Sequence, residues 1–373
     1  MRLDKNKVER MRKILEVYSL TVRGGAETLM INHLKEMDRQ EFHVDFVNHT
    51  QKKCDYDDEI LSLGSHLYHM PKFRIFNVVS YIRAWFKFFK DHPDYDVVHV
   101  HYFTLAPIII PIAKKCGVKT RITHSHAIRK SSLYKRVLLN LFRWLMVNNS
   151  TLLLACSKEA GNNIFKVPNY VVFKNAILSN RFAYNPIIRR RVRAELKLKE
   201  DVIVIGNVGS FRSRDKNHYF QIDVFDEIHR RNPNSILLLV GDGVLRPMVE
   251  QKVKDCHLEE SVIFTGLRDH TEDYYQAMDV FLFPSLYEGL GIVAIEAQVS
   301  GLPVVMSDQV PNEACISDLV TVCYLNSGID TWAETLINVA KKSHDRGSYA
   351  NCAKQAGFDV CENVKILETI YSN

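Results

Sequence analysis

Residues 274–308 read YYQAMDVFLFPSLYEGLGIVAIEAQVSGLPVVMSD. In order, the stretch spells helix, strand, loop, helix, strand. The run from Val280 to Phe283 is short and wholly apolar, as a strand covered on both faces would be. A second such run, Leu302–Ser307, follows a helical segment that starts near Ile292. Strand–helix–strand units of this kind build parallel α/β sheets.

The loop between strand and helix carries candidate chemistry. Glu288 stands just after the strand. Gly289 and Gly291 let the backbone approach a ligand closely. The free N–H groups at the start of the following helix point at the loop, an arrangement that suits a phosphate. Glu296 lies about a turn further along. Two carboxylates so spaced can hold sugar hydroxyls while the amides hold a pyrophosphate. Two glutamates at this spacing also arise by chance, so the surrounding sequence has to decide.

Outward from this segment the alternation continues in both directions. In the first half, 12–19, 42–47, 96–103, 118–126 and 151–157 read as strands. Residues 27–37, 75–90, 106–116 and 131–147 read as helices. In the second half, strands at 201–211, 235–243 and 262–266 alternate with helices at 217–231, 244–256, 271–278 and 292–300. The Arg-rich stretch Leu178–Glu200 lacks strand periodicity and reads as a hinge. The expectation is an α/β chain of two Rossmann-like domains, at 1–185 and 186–350. A helical tail, 351–373, would be able to cross back to the first. Two such domains facing each other leave a cleft at the carboxyl ends of their strands, where open sheets bind ligands.

Composition is that of a globular protein. The 373 residues are 46% hydrophobic and 25% charged, which excludes disordered and collagen-like classes. No apolar run reaches the ~18–20 residues that span a bilayer. The start, MRLDKNKVERMRK, is charged and lacks the apolar region of a secretory signal, so a cytoplasmic location is expected. The eight cysteines are scattered without a CxxC pair, which reads as reduced, buried thiols rather than a disulfide frame or zinc site. Charge is uneven. Residues 1–185 hold about 29 Lys and Arg against about 16 Asp and Glu, and the remainder about 20 against about 27. The basic half suggests an anionic partner: a membrane surface, a lipid phosphate or nucleic acid.

Three more stretches stand out. GNVGSFRSRDKNH (206–218) follows a strand and opens a helix; it offers Gly209 for a phosphate and Arg212, Arg214 and Lys216 as cations. A departing diphosphate needs such cations when no metal supplies them. Gly24-Gly25-Ala26-Glu27 follows the first strand in the same way. RITHSHA (121–127) ends a strand with His124 and His126, which alternation puts on one side. Asp57-Asp58 falls in a polar loop and reads as a solvated turn, not a metal site.

The 274–308 segment resembles the donor-site signature of glycosyltransferase family 4, a large family of retaining enzymes with the GT-B fold. The carriers are Glu288-Gly289-Leu290-Gly291, Ile295-Glu296-Ala297 and Gly301-Leu302-Pro303-Val304. The resemblance implies that Glu288 contacts the donor sugar and Glu296 the ribose hydroxyls. Gly289, Leu290 and Gly291 would lend amides to the diphosphate. The family commonly shows an Arg where Ser210 stands here, then a Lys. Lys216 matches that Lys, and Arg212, two residues from Ser210, is the candidate to replace the Arg. Gly24 and Gly25 would lie near the donor phosphates and the acceptor. Enzymes of this family that make capsules and exopolysaccharides often read H-S-H-N; His126 is favoured over His124 as the residue near the transferred sugar. In TGLRDH (265–270), Gly266 and Arg268 are candidates for the nucleotide base.

What the resemblance implies is retaining, metal-independent transfer from a nucleotide sugar, UDP being the commonest, with no cofactor. The acceptor would be a glycan or a polyprenyl-linked glycan. Two basic, aromatic, amphipathic segments, YIRAWFKFFK (81–90) and YKRVLLNLFRWLMV (134–147), could lie peripherally on anionic lipid. A GT-B sugar-nucleotide epimerase and a silent binding protein share this architecture. A nucleic-acid-binding protein is the rival from another class, but the chain lacks a recognisable module for it.

Overall fold

The computed structural model describes residues 10–22, 24–101, 104–126 and 136–373. Ala127 of the His-Ser-His-Ala motif, the strand end at 102–103 and the start of the helix expected at 131–147 lie outside the described residues. The chain forms two compact units. One is the segment up to Ala176 together with Val360–Asn373; the other is Ile177–Asp359.

The first unit is built on seven parallel strands: β1 (Arg12–Val17), β2 (Phe42–Asn48), β3 (Leu67–His69), β4 (Val97–Val100), β5 (Thr120–Ser125), β6 (Leu152–Ala155) and β7 (Val171–Val172). Their order is β3-β2-β1-β4-β5-β6-β7. The second unit has six: β8 (Ile203–Val208), β9 (Ser235–Val240), β10 (Val262–Gly266), β11 (Val280–Phe283), β12 (Val304–Ser307) and β13 (Val320–Cys323), in the order β10-β9-β8-β11-β12-β13. In each sheet the order reverses beside the first strand, between β1 and β4 and between β8 and β11. A crevice opens at such a reversal, beyond the carboxyl ends of the strands.

Helices cover both faces of each sheet, which is why the inner strands read as apolar runs without alternation. Val280, Phe281, Leu282 and Phe283 of β11 are all fully buried. Helix Val78–Asp91 turns Tyr81, Trp85, Phe88 and Phe89 inward at helical spacing, while Lys87 and Lys90 stay out.

In the second unit, the loops after β8 and β9 press backbone against backbone. Gly209 N–H donates to Val240 at 2.9 Å, and Phe211 N–H to Asp242 at 3.0 Å. A Cβ on Gly241 would meet the Gly209 carbonyl oxygen at 2.0 Å, and the residue sits at φ 139°, where side chains are strained. The glycines therefore fix where the loop bearing Lys216 emerges.

Several expectations need correction. The Arg-rich stretch is not a free hinge. It folds onto the second unit as helices Ser179–Phe182 and Pro186–Glu195. Arg189 donates to Asp279 Oδ1 at 2.6 Å, and Arg193, 5% exposed, donates to the Val202 carbonyl at 2.9 Å. Its arginines look polar in sequence but act as internal donors. The unit boundaries accordingly fall at Ala176/Ile177 and Asp359/Val360, not at 185 and 350. Helix Val360–Ser372 packs in the first unit. There Asn363 donates to the Lys174 carbonyl at 2.6 Å, and Arg12 donates to the Ser372 carbonyl at 2.7 Å. Asp57 is not solvated: it opens helix Asp57–Ser62, is 5% exposed, and accepts from Thr21 Oγ1 and the Cys54 N–H. None of the eight cysteines forms a disulfide; Cys156, Cys323 and Cys352 are buried, but Cys315 is exposed. Among the described residues no helix is long and apolar enough to cross a membrane.

Gly241→Ala should destabilise the second unit by about 1–3 kcal/mol. Urea unfolding followed by tryptophan fluorescence measures this; a loss under about 0.5 kcal/mol would contradict the close approach of the two loops.

Candidate active site

The second unit brings its key residues together at the strand-order reversal. Lys216, in the loop after β8, and Glu288, in the loop after β11, pair at 2.7 Å. Three contacts support that meeting. Leu286 N–H donates to the Asp215 carbonyl at 2.7 Å, and Asn217 Nδ2 to the Pro284 carbonyl at 3.1 Å. Ser285 Oγ donates to the same Glu288 oxygen, Oε1, at 2.7 Å. The Lys216 ammonium also lies 5.3 Å from the centre of the Phe283 ring. Gly209 lies against this lysine: a Cβ there would stand 3.5 Å from Lys216 Cγ, in ordinary contact, and 3.2 Å from Asn207 Oδ1.

Beyond Glu288 the chain turns into helix Ile292–Val299 through Gly291, at φ 84° in the left-handed region. A Cβ on Gly291 would reach Val310 at 2.9 Å and Phe283 at 3.1 Å, so glycine is required both for conformation and for space. Leu290 is 7% exposed and packs its side chain in the core, leaving its backbone as the part that can serve a ligand. Gly289 is partly buried. At the helix start the Ala294 N–H donates to the Gly291 carbonyl at 2.9 Å, and the positive end of the helix dipole follows the Glu288 loop.

Glu296 lies on that helix and accepts from the Tyr275 hydroxyl at 2.6 Å. Burial pushes its carboxyl up to about 7, against the Tyr275 hydrogen bond and with the help of Glu272; the Lys216 charge pulls the other way. Lys216 is thus near enough to act on both glutamates. Arg212 stays exposed on its loop, where its backbone N–H donates to Ser210 Oγ at 3.3 Å. Arg268 is also exposed, with its guanidinium 5.8 Å from the centre of the Tyr274 ring. It lines a separate cavity of about 310 Å³ with Leu267, His270 and Asp273.

In the first unit, Gly24 is extended at φ −157° and Gly25 begins helix Gly25–Glu36; neither takes a left-handed conformation. His124 ends up 1% exposed on β5, with its Nε2 unpartnered. His126 is partly exposed beyond the strand end. Its Nε2 lies 2.7 Å from His101 Nδ1, and its Nδ1 3.1 Å from the Asn175 side chain. His101 in turn reaches Glu16 at 2.5 Å, and Glu16 accepts from the Tyr371 hydroxyl at 2.6 Å. Burial pushes the His126 imidazole down to about 4, so it is neutral at pH 7. The sequence reading missed Glu16, His101, Tyr371, Ser285 and Tyr275. Only the His-x-His spacing at 99–101, parallel to that at 124–126, hinted at any of them.

The Glu296 carboxyl binds its proton more tightly in the folded chain than at its ordinary value of 4.5. The folded state is therefore favoured below about 4.5 and loses that advantage as pH rises to about 7. Glu296→Gln, which cannot ionise, should raise the melting temperature relative to wild type more at pH 8 than at pH 5. An equal difference at both pH values would rule out the buried, proton-holding carboxyl.

Comparison with known proteins agrees with this architecture. Residues 23–177 match the family described as Glycosyltransferase Family 4, and residues 202–342 match Glycosyl transferases group 1. The glycosyltransferase EpsF of Bacillus subtilis is 32% identical over 371 residues, covering 97% of this chain and 96% of that protein. A UDP-Gal:alpha-D-GlcNAc-diphosphoundecaprenol alpha-1,3-galactosyltransferase of Escherichia coli is 22% identical, covering 96% of each chain. In fold, the chain resembles Alr3699/HepE of Anabaena, solved with UDP and glucose, at a TM-score of 0.78 and 19% identity, over 97% of this chain and 100% of that one. Two Rossmann-like units, with a Lys–Glu pair at the strand-order reversal of the second, together with a relative this similar along nearly its whole length, place the chain in glycosyltransferase family 4, as a GT-B glycosyltransferase.

Proposed function

We propose that this glycosyltransferase moves a sugar from a nucleoside-diphosphate donor, UDP in the first instance, to a hydroxyl of a glycan or polyprenyl-linked acceptor in cell-surface polysaccharide synthesis. The meeting of Lys216 and Glu288 beside the amides of helix Ile292–Val299 carries the reading. A lysine, a helix N-terminus and glycine amides suit a diphosphate, and the adjacent carboxylates suit sugar hydroxyls. The UDP-bound HepE and the lipid-linked acceptor named for the Escherichia coli relative support the choice of ligands.

The steps follow from charge. Departure of the diphosphate leaves an oxocarbenium-like sugar and a dianion, and stabilising the dianion is the main task. Lys216 and the amides from Gly289 to Gly291 do this without a divalent ion, with Gly209 giving the phosphates backbone access. Arg212 is the further cation that would close on them. Ser285 already occupies one oxygen of Glu288, leaving the other to a donor-sugar hydroxyl. Glu296 takes the ribose, and Arg268 borders the base. His126 is the catalytic residue contributed by the first unit, with Gly24 and Gly25 admitting the acceptor. Transfer retains anomeric configuration, the acceptor entering on the leaving-group face and the donor phosphate helping to take its proton.

A second observation bears on the acceptor. Ile75 and Phe76 are 88% and 82% exposed, and Val79 and Phe86 are also exposed. Lys72, Arg74, Arg83, Lys87 and Lys90 of the same segment are exposed too. An exposed apolar segment carrying cations suits an anionic lipid surface, each cation contributing about 1 kcal/mol there. The protein would then work peripherally on the cytoplasmic face of the membrane, where polyprenyl-linked acceptors reside, and would not bind nucleic acid.

UDP should raise the melting temperature more than GDP or ADP, a stabilisation of about 2.7 kcal/mol at a hundredfold excess over Kd. Lys216→Met and Glu288→Gln should each lower UDP release from UDP-glucose or UDP-galactose by about 10²–10³-fold, with circular dichroism unchanged. Turnover should survive EDTA. Loss with EDTA and rescue by Mg²⁺ would sink the metal-free mechanism; full activity in both variants would sink the site. In a separate flotation experiment, Ile75→Asp with Phe76→Asp should abolish binding to vesicles containing phosphatidylglycerol. Unaltered binding would move the membrane contact elsewhere.

A further inference from the structure

The first unit holds an unusual feature for the middle of a parallel sheet. Glu16, on β1 between the fully buried Leu15 and Val17, is itself 5% exposed. A carboxylate there costs more than an apolar residue would, unless donors surround it. They do. His101 Nε2 lies 2.5 Å from one oxygen, and the Tyr371 hydroxyl lies 2.6 Å from the other. The Tyr371 oxygen, fully buried, accepts in turn from His99 Nδ1 at 2.7 Å. The Tyr18 ring stacks on His101 at 4.3 Å and 12°, fixing its plane.

We infer that Glu16, His101 and Tyr371 are positioning residues that decide which nitrogen of His126 carries its proton. The inference rests on the reading of His126 as the catalytic residue of this unit. Burial pushes the Glu16 carboxyl up, but His99 and His101 outweigh it and hold the carboxyl well below its ordinary range, so it is a charged acceptor. Burial and the neighbouring His99 hold His101 neutral. A neutral imidazole has one N–H. Glu16 claims it at Nε2, which leaves His101 Nδ1 bare. That bare atom faces His126 Nε2 at 2.7 Å, so His126 must donate there. His126 is neutral as well, and its Nδ1 is therefore bare.

The structure draws Asn175 Oδ1, an acceptor, 3.1 Å from that Nδ1. The assignment therefore requires the amide turned end for end, so that its N–H₂ donates to the bare Nδ1; the two ends have the same shape. The outcome is a histidine whose free lone pair is fixed at Nδ1, as an acceptor for a ligand hydroxyl that displaces Asn175. With the proton on the other nitrogen, the same ring would offer an N–H and repel that donor. Helix Val360–Ser372 thus contributes through Tyr371, whose hydroxyl takes the second oxygen of Glu16, which His99 Nδ1 also approaches at 3.3 Å, and leaves the first to His101.

The test uses the full chain labelled with ¹⁵N-histidine, with long-range ¹H–¹⁵N spectra at pH 7.5. Wild type should show both His101 and His126 protonated at Nε2. Glu16→Gln and Tyr371→Phe should each populate the other form of His126. Each should lower kcat for UDP release from UDP-glucose or UDP-galactose by about tenfold or more, while the donor KM stays within about twofold. Should Glu16→Gln fail to fold, Tyr371→Phe, which removes a single oxygen, carries the test. A wild-type His126 protonated at Nδ1 overturns the inference, as do wild-type spectra and kcat in both variants. His126→Gln separates this from the reading beneath it. Unchanged turnover there removes the catalytic role of His126 and of its supporters together, while the spectra still judge the proton assignment alone.

Discussion

The contact of Lys216 with Glu288 is possible only because two loops leave adjacent strands of a parallel sheet on the same edge. β8 and β11 are neighbours, yet they are separated in sequence by β9 and β10. Each connection returns on the opposite side of β8, so no chain segment crosses the crevice between the two strand ends. The Gly209–Gly241 approach then sets the height at which the Lys216 loop leaves the sheet. Gly291 sets the angle at which helix Ile292–Val299 begins. Within this frame, a lysine, a carboxylate and the start of a helix are held together by backbone geometry.

The first unit applies the same edge geometry to a different end. β1 and β4 meet at its reversal, and Glu16, His99 and His101 all lie on them or just beyond. β5, next to β4, adds His124 and His126. Where the second unit gathers cations and amides, the first gathers imidazoles around one buried anion. Burial pushes the His101, His124 and His126 rings toward their neutral forms, as it drives His33 down to about 3. A single carboxylate can stay ionised by collecting their N–H groups.

Much of this was legible in the sequence, for a physical reason. Strands buried on both faces print as apolar runs, and glycine loops before helices print as punctuation. The α/β alternation and the donor-side segments around Lys216 and Glu288 therefore stood out. The short edge strands β3 and β7, of three and two residues, print nothing, because so few positions carry no period. The stretch 178–200 was misread because its arginines look solvated. Arg193 instead serves the carbonyls of Ala277 and Val202 from inside the fold. The Glu16–His101–His126 line was invisible for another reason. Its members come from three strand ends and, with Tyr371, from a helix 355 positions away from Glu16. Local spacing holds no trace of a contact that distant.

Three carboxylates now share a common arrangement. Ser285 donates to Glu288 at 2.7 Å, Tyr275 to Glu296 at 2.6 Å and Tyr371 to Glu16 at 2.6 Å. In each case a hydroxyl takes one oxygen, from three residues away for Glu288 and from a separate segment for Glu296 and Glu16. A hydroxyl orients a carboxylate without cancelling its charge; on Glu288 the Lys216 ammonium shares the same oxygen at 2.7 Å and balances the charge as well. The remaining lone pairs stay available and point in a fixed direction. For Glu16 they are already committed to histidine, so it acts inside the protein. Glu288 stands in the loop just before helix Ile292–Val299, and Glu296 about a turn inside that helix. One device, a hydroxyl-clamped glutamate, thus recurs in both units: at Glu16 it is committed to histidine, and under the proposed function it is turned toward the donor at Glu288 and Glu296.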